Sequence, residues 1–233
     1  METSKPTTKR YIHIIALVMI VFFVISFITN ILNSIIVDVK DSFDLSLTLT
    51  GLLPFTFFIA YGIMSIPAGF LSEKYSERTL LSVSFLVMAL ASLGFALLPQ
   101  YGVFSITLFV LGCCMAVLQV IINPMLRVAG GEEHFAFNSV LAQLVFGAAS
   151  FLSPYLYMYL VSKENSGDTL AEMLRGWVPE DLPWASLYIV FALISLVLFF
   201  SPLSVWHNLA RQQPFLHQKN VDAYLNLSCA PGR

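Results

Sequence analysis

The polar side chains that recur at helical spacing inside apolar stretches of this sequence are carboxamides and hydroxyls. Asn30 is followed by Asn33 and Ser34 three and four residues on, which puts all three on one helix face. Gln119 and Asn123 stand one turn apart, as do Ser139 and Gln143, and the second pair leads into Gly147 and Ser150, a small-residue ridge for another helix. An amide donates and accepts, as a sugar hydroxyl does, so amides converging on a wet cavity would suit an uncharged polyol. The same groups could instead tie helices together, and residue types alone leave both readings open. No Asp, Glu, Lys or Arg falls mid-stretch, where a proton relay or a strong ion site would need one. The histidines, His13, His134, His207 and His217, lie at stretch ends or in loops, with no nucleophile turn or metalloprotease spacing near them. Cys113, Cys114 and Cys229 give neither a disulfide framework nor metal spacing. No enzyme, cofactor or metal site is expected.

Composition says what must position these amides. The chain has 233 residues, 58% of them hydrophobic and 11% charged, against about 25% charged in a soluble domain. A formal net charge of -2 gives no reason to expect nucleic acid. Uncharged stretches run over 11–37, 45–72, 79–126, 135–162 and 182–210. Hydrocarbon about 30 Å thick takes roughly 20 residues at 1.5 Å each, so the third stretch holds two spans and the others one. Leu97 to Gly102, with Pro99 inside it, supplies the dividing turn. The expectation is an all-α membrane protein with six transmembrane helices, at about 11–37, 48–71, 79–98, 102–124, 136–161 and 184–204. Nine Lys and Arg residues fall on one side (Lys5, Lys9, Arg10, Lys74, Arg78, Arg127, Arg211, Lys219, Arg233) and three on the other (Lys40, Lys163, Arg175), which places both termini in the cytoplasm.

Residues 1–10 then form a cytoplasmic N-terminus. The long external segment, Val161 to Pro183, carries a candidate short helix over Thr169–Leu174, with Trp177 and Trp184 placed to anchor at the membrane interface. Pro67 late in span two and Pro154 late in span five approach opposite faces, as a three-plus-three inverted repeat would require. Residues 205–233 hold no further span and read as a cytoplasmic tail, or as the mark of a truncated product.

The connection between spans two and three runs Gly69-Phe70-Leu71-Ser72-Glu73-Lys74-Tyr75-Ser76-Glu77-Arg78. It resembles the Gly-x-Leu-x-Asp-Arg-x-Gly-Arg-Arg loop of the major facilitator superfamily, with Gly69, Glu73, Lys74 and Arg78 in matching places and Ser76 and Glu77 departing from it. Within that superfamily the chain is similar to the fucose:proton symporter family, which includes bacterial glucose/galactose transporters. The likeness is carried by Thr29-Asn30 with Asn33, Ile66-Pro67-Ala68-Gly69, Asn123-Pro124, and Asn138 with Leu141-Ala142-Gln143.

The resemblance implies the N-terminal half of a two-bundle fold, with a hexose-type sugar (fucose, glucose or galactose) bound by Asn30, Asn33, Gln119, Asn123 and Gln143. Glu73, Lys74 and Arg78 would belong to a gating loop. It also implies a bacterial inner-membrane carrier working by alternating access, partnered by a second six-helix bundle or a second copy. A coupling ion, proton or sodium, is implied with a difference. Where the fucose carrier has acidic residues after the first-span asparagine and before the fourth-span proline, this sequence has Ser34 and Gln119, and neither titrates near neutral pH. A non-transporting half-transporter that binds or regulates is the alternative.

Overall fold

In lipid every backbone amide must find its partner inside its own segment, so uncharged stretches of this length have to be helical. The computed structural model describes residues 12–161, 173–174, 176–179 and 182–209, with side chains as far as Phe200 apart from Glu132. It contains α1 (Ile12–Ser42), α2 (Leu47–Lys74), α3 (Glu77–Leu97), α4 (Tyr101–Gly130), α5 (Phe135–Val161) and α6 (Ser186–Leu209), with single 3-10 turns at Glu132–His134 and Pro183–Ala185. Among the described residues six helices are long and apolar enough to cross a membrane. The first four follow one another through connections too short for anything but antiparallel neighbours. Ser46 and Ser76 cap α2 and α3 by accepting from the backbone N–H groups of Leu49 and Thr79.

Several ends differ from the sequence expectation. α1, α2, α4 and α6 continue to Ser42, Lys74, Gly130 and Leu209. Charges set where hydrocarbon ends, whereas a helix runs on through the headgroup layer until a breaker stops it. Neither Pro67 nor Pro124 therefore closes its span. Both lie inside helices, and α4 ends instead at Gly130 before Gly131, whose φ of 74° lies in the left-handed region that glycine adopts without strain. The candidate helix Thr169–Leu174 lies largely outside the described residues, as do residues 1–10 and the tail beyond Leu209.

The core sits where α1, α3, α4 and α6 meet, while α2 and α5 are the least buried spans. α2 lies along α4, α5 along α1, and α3 along α6. Exchanging the first three helices for the last three converts the first of these pairings into the second and returns the third to itself, which is the packing of an inverted repeat. One contact is very close: a Cβ added to Gly112 of α4 would stand 2.3 Å from the Phe57 carbonyl oxygen of α2. Only a glycine allows the two backbones to approach so far.

Hydroxyls join α1 to α5. Ser26 Oγ donates to the Phe146 carbonyl at 2.6 Å, Ser153 Oγ to the Phe27 carbonyl at 3.2 Å, and Tyr157 OH to Asp38 Oδ2 at 2.5 Å. The last lies at the end of the bundle where α1 finishes. There Trp184 is not the interfacial anchor expected of it. It is 1% exposed, stacked on Phe95 at 5.6 Å and edge-on to Phe43 and Phe104, and its indole N–H donates to Ser42 Oγ at 3.0 Å. The 3-10 turn Pro183–Ala185 carries it inward, and burying the large ring with its one donor satisfied outweighs a place in the headgroups. Trp177 remains exposed.

Candidate functional site

The amides expected at the site are carried by three helices, α1, α4 and α5. Asn30 is the nineteenth residue of α1 and Gln119 the nineteenth of α4, and each stands past the middle of its helix. Gln143 lies early in α5.

The amides also differ in what holds them. Asn30 is half-buried and turns back on its own helix, its Nδ2 donating to the Ser26 carbonyl at 2.8 Å and to Ser26 Oγ at 3.3 Å. Since Ser26 Oγ in turn donates to Phe146, Asn30 is held against the α1–α5 seam. Asn123 is exposed and its Nδ2 donates to the Gln119 carbonyl at 3.0 Å. Gln119, half-buried, accepts at Oε1 from Tyr61 OH of α2 at 2.5 Å. Asn33 and Gln143 are exposed and make no side-chain hydrogen bond with another described residue. Gln119 and Asn123 are thus brought together, and Asn30 joins α5, but no hydrogen bond links the amides of α1, α4 and α5 to one another.

The ridge Ser139, Gln143, Gly147 and Ser150 is not where α5 packs on its own bundle. A Cβ at Gly147 would meet nothing within 4 Å, and the buried residues of α5 are Asn138, Ala142, Ala149, Ser153 and Leu160. Gln143 and Gly147 therefore belong to an open face. The Asn123-Pro124 pair fits its simpler reading in part, since the asparagine amide binds the carbonyl one turn back while its Oδ1 is left available.

Sequence reasoning missed Tyr61 and Ser26. Tyr61 stands at the middle of α2, far from the interfacial belts where tyrosine is usual in membranes, and that depth was the available signal. Ser26 carried the weaker signal of one turn's spacing from Asn30.

At the α2–α3 connection, Gly69 accepts from Ser72 Oγ at 2.7 Å through its carbonyl, Lys74 Nζ sits 5.6 Å from the Tyr75 ring centroid, and Arg78 lies in the capped first turn of α3. Glu73 ends α2 beside Lys74, so the loop itself is only Tyr75 and Ser76. At the same end of the bundle Arg127 packs over the Phe135 ring at 5.9 Å.

Residues 18–220 match the Major Facilitator Superfamily. The chain belongs to that superfamily. Among curated superfamily proteins it is 27% identical over 203 residues to the glucose/galactose transporter of Brucella abortus (strain 2308), which covers 84% of this chain and 48% of that protein. It is 28% identical over 146 residues to the L-fucose-proton symporter of Escherichia coli (strain K12), covering 60% of this chain and 33% of the symporter. A putative glucose/galactose transporter of Helicobacter pylori (strain J99) is 28% identical over 185 residues. The crystal structure of the superfamily transporter FucP in the outward conformation superposes with a TM-score of 0.61 at 22% identity, covering 81% of this chain and 48% of that one, so the superfamily fold is shared. The chain spans about half the length of the curated relatives it matches.

Proposed function

We propose that this integral membrane chain forms one side of the binding cavity of a hexose carrier working by alternating access, with glucose, galactose or fucose as the substrate class. The observation that carries the reading is the exposure of Asn33, Asn123 and Gln143 on the outside of a bundle whose own core is closed and apolar. An amide facing lipid is costly, so this face suits water, a sugar and a second six-helix body. That body is the complementary bundle or a second copy of the chain. The relatives' names supply the substrate class, and their being transporters supports a carrier over an enzyme.

Asn30, Asn33, Gln119, Asn123 and Gln143 contact the sugar in this reading. Gly69, Glu73, Lys74 and Arg78 form the loop that gates the cytoplasmic side. The excess of Lys and Arg at the ends bearing residues 74, 78 and 127 supports cytoplasmic termini, in a bacterial inner membrane like that of the relatives. With Ser34 and Gln119 in place of titratable groups, a coupling proton would be carried elsewhere than at those two positions.

Equilibrium binding of labelled glucose, galactose and fucose to the chain in nanodiscs tests the reading, with saturable, stereospecific binding the expected result. No binding of any of the three would sink it. Reconstituted alone in proteoliposomes, the chain is expected to show no saturable uptake if the second body is the complementary bundle, because one side of a cavity cannot alternate; saturable uptake would point to a second copy in its place. Binding without flux under every pairing would favour a regulatory half-transporter.

A further inference from the structure

We propose that Tyr61 is a positioning residue whose hydroxyl proton fixes Gln119 as a hydrogen-bond donor toward the sugar. The inference rests on the sugar reading above. Tyr61 is half-buried at the middle of α2, and its OH donates to Gln119 Oε1 at 2.5 Å. A phenol can donate or accept, but 2.5 Å is an O–H···O separation and too short for an amide N–H donating to the phenol oxygen, so the contact sets the amide oxygen toward α2. Gln119 Nε2 makes no hydrogen bond with a described residue and is not sealed from solvent, so it can still donate.

One turn along the same face, Asn123 has the opposite polarity. Its Nδ2 is engaged by the Gln119 carbonyl at 3.0 Å, which leaves Oδ1 as an acceptor. α4 therefore presents donors and then an acceptor, about 6 Å apart along the helix. A sugar hydroxyl can accept from Gln119 while it, or its neighbour on the ring, donates to Asn123. Among the described residues Tyr61 is the group that holds the Gln119 end of that order, since the terminal torsion of a glutamine has two broad wells that exchange its oxygen and nitrogen. With the phenol removed, Gln119 could turn to suit either kind of partner.

This predicts a change of selectivity and not merely of affinity. On the wild-type chain, a galactose carrying fluorine (acceptor only) at the ring position facing Gln119 should bind more tightly than one carrying an ammonium group (donors only) there. In Tyr61→Phe the ammonium analogue should gain on the fluoro analogue by about tenfold, while unmodified galactose changes less. A proportional loss for both analogues would show Tyr61 to be structural and overturn the proposal. Independently of sugar, the ultraviolet Raman doublet of Tyr61, taken as the difference between wild-type chain and Tyr61→Phe, should be of the donor type, and an acceptor-type doublet would overturn it. Should Tyr61→Phe not fold, Gln119→Leu reads the same bond from the other side and should move the doublet to the unbonded form. Failure of the wild-type chain to bind galactose, glucose or fucose would remove the sugar reading itself, and this assignment with it.

Discussion

The first and second triplets of helices answer the same positions with different chemistry. The nineteenth residue of α1 is Asn30 and of α4 is Gln119; the twenty-third is Ser34 and Asn123; the twenty-seventh is Asp38 and Arg127. Because the two helices run antiparallel, the two charges fall at opposite ends of the bundle. The supports are not matched. Asn30 is tied to its own helix and, through Ser26, to α5, whereas Gln119 is tied across to α2 by Tyr61. A repeated backbone thus offers two polar stations that can be tuned separately, since a change in the partner helix of one leaves the other untouched.

The largest break in that comparison should come at Gly112. α4 has there a contact that α1 lacks, because the twelfth residue of α1 is the half-buried Phe23. Gly112→Ala sets a methyl group 2.3 Å from a backbone oxygen that cannot rotate away, and should lower stability by about 1–3 kcal/mol. Thermal unfolding in detergent would show it, and an unchanged midpoint would mean that α2 and α4 are not so closely joined. Next, Asn123→Ala should weaken sugar binding at least tenfold, or by about 1.4 kcal/mol, with the melting temperature unchanged, because the side chain is exposed and its only bond is to its own helix. A loss of stability without loss of binding would return this amide to a structural role. Ser26→Ala should cost less, about 0.6 kcal/mol for one interhelical hydrogen bond in a membrane protein, and should also loosen Asn30. The smallest expected effect is that of Tyr157→Phe, about 0.5 kcal/mol or less in the same melt, since Asp38 is only half-buried and can turn to water at the bundle's end. A larger loss there would show that the α1–α5 seam is held mainly at its end.

Six helices were legible because burying a charge in hydrocarbon is so costly that the gaps between charges mark the spans. The true ends were less legible, because past the hydrocarbon the helix is limited by caps and glycines, as Ser76 and Gly131 show, and no longer by charge. The amides were legible as an uncommon residue type in an apolar run. Trp184 was misplaced. A tryptophan at a span end looks the same in sequence whether the turn that carries it points toward headgroups or, as Pro183–Ala185 does, toward Phe95 and Phe104. The Gln143–Gly147 ridge had the spacing of a packing face, but small residues permit approach without saying which body approaches.

The uncharged interior described above has an electrical consequence. From Ile12 to Val37 in α1 and from Tyr101 to Leu126 in α4 there is no fixed charge for a transmembrane voltage to pull on. Moving one elementary charge through the full potential is worth about 2.3 kcal/mol per 100 mV, and none of that work falls on these stretches of α1 and α4. If the chain serves in the proposed carrier, a voltage dependence would report a charge brought in by an ion or by the second six-helix body, and a flat response would report that neither brings one.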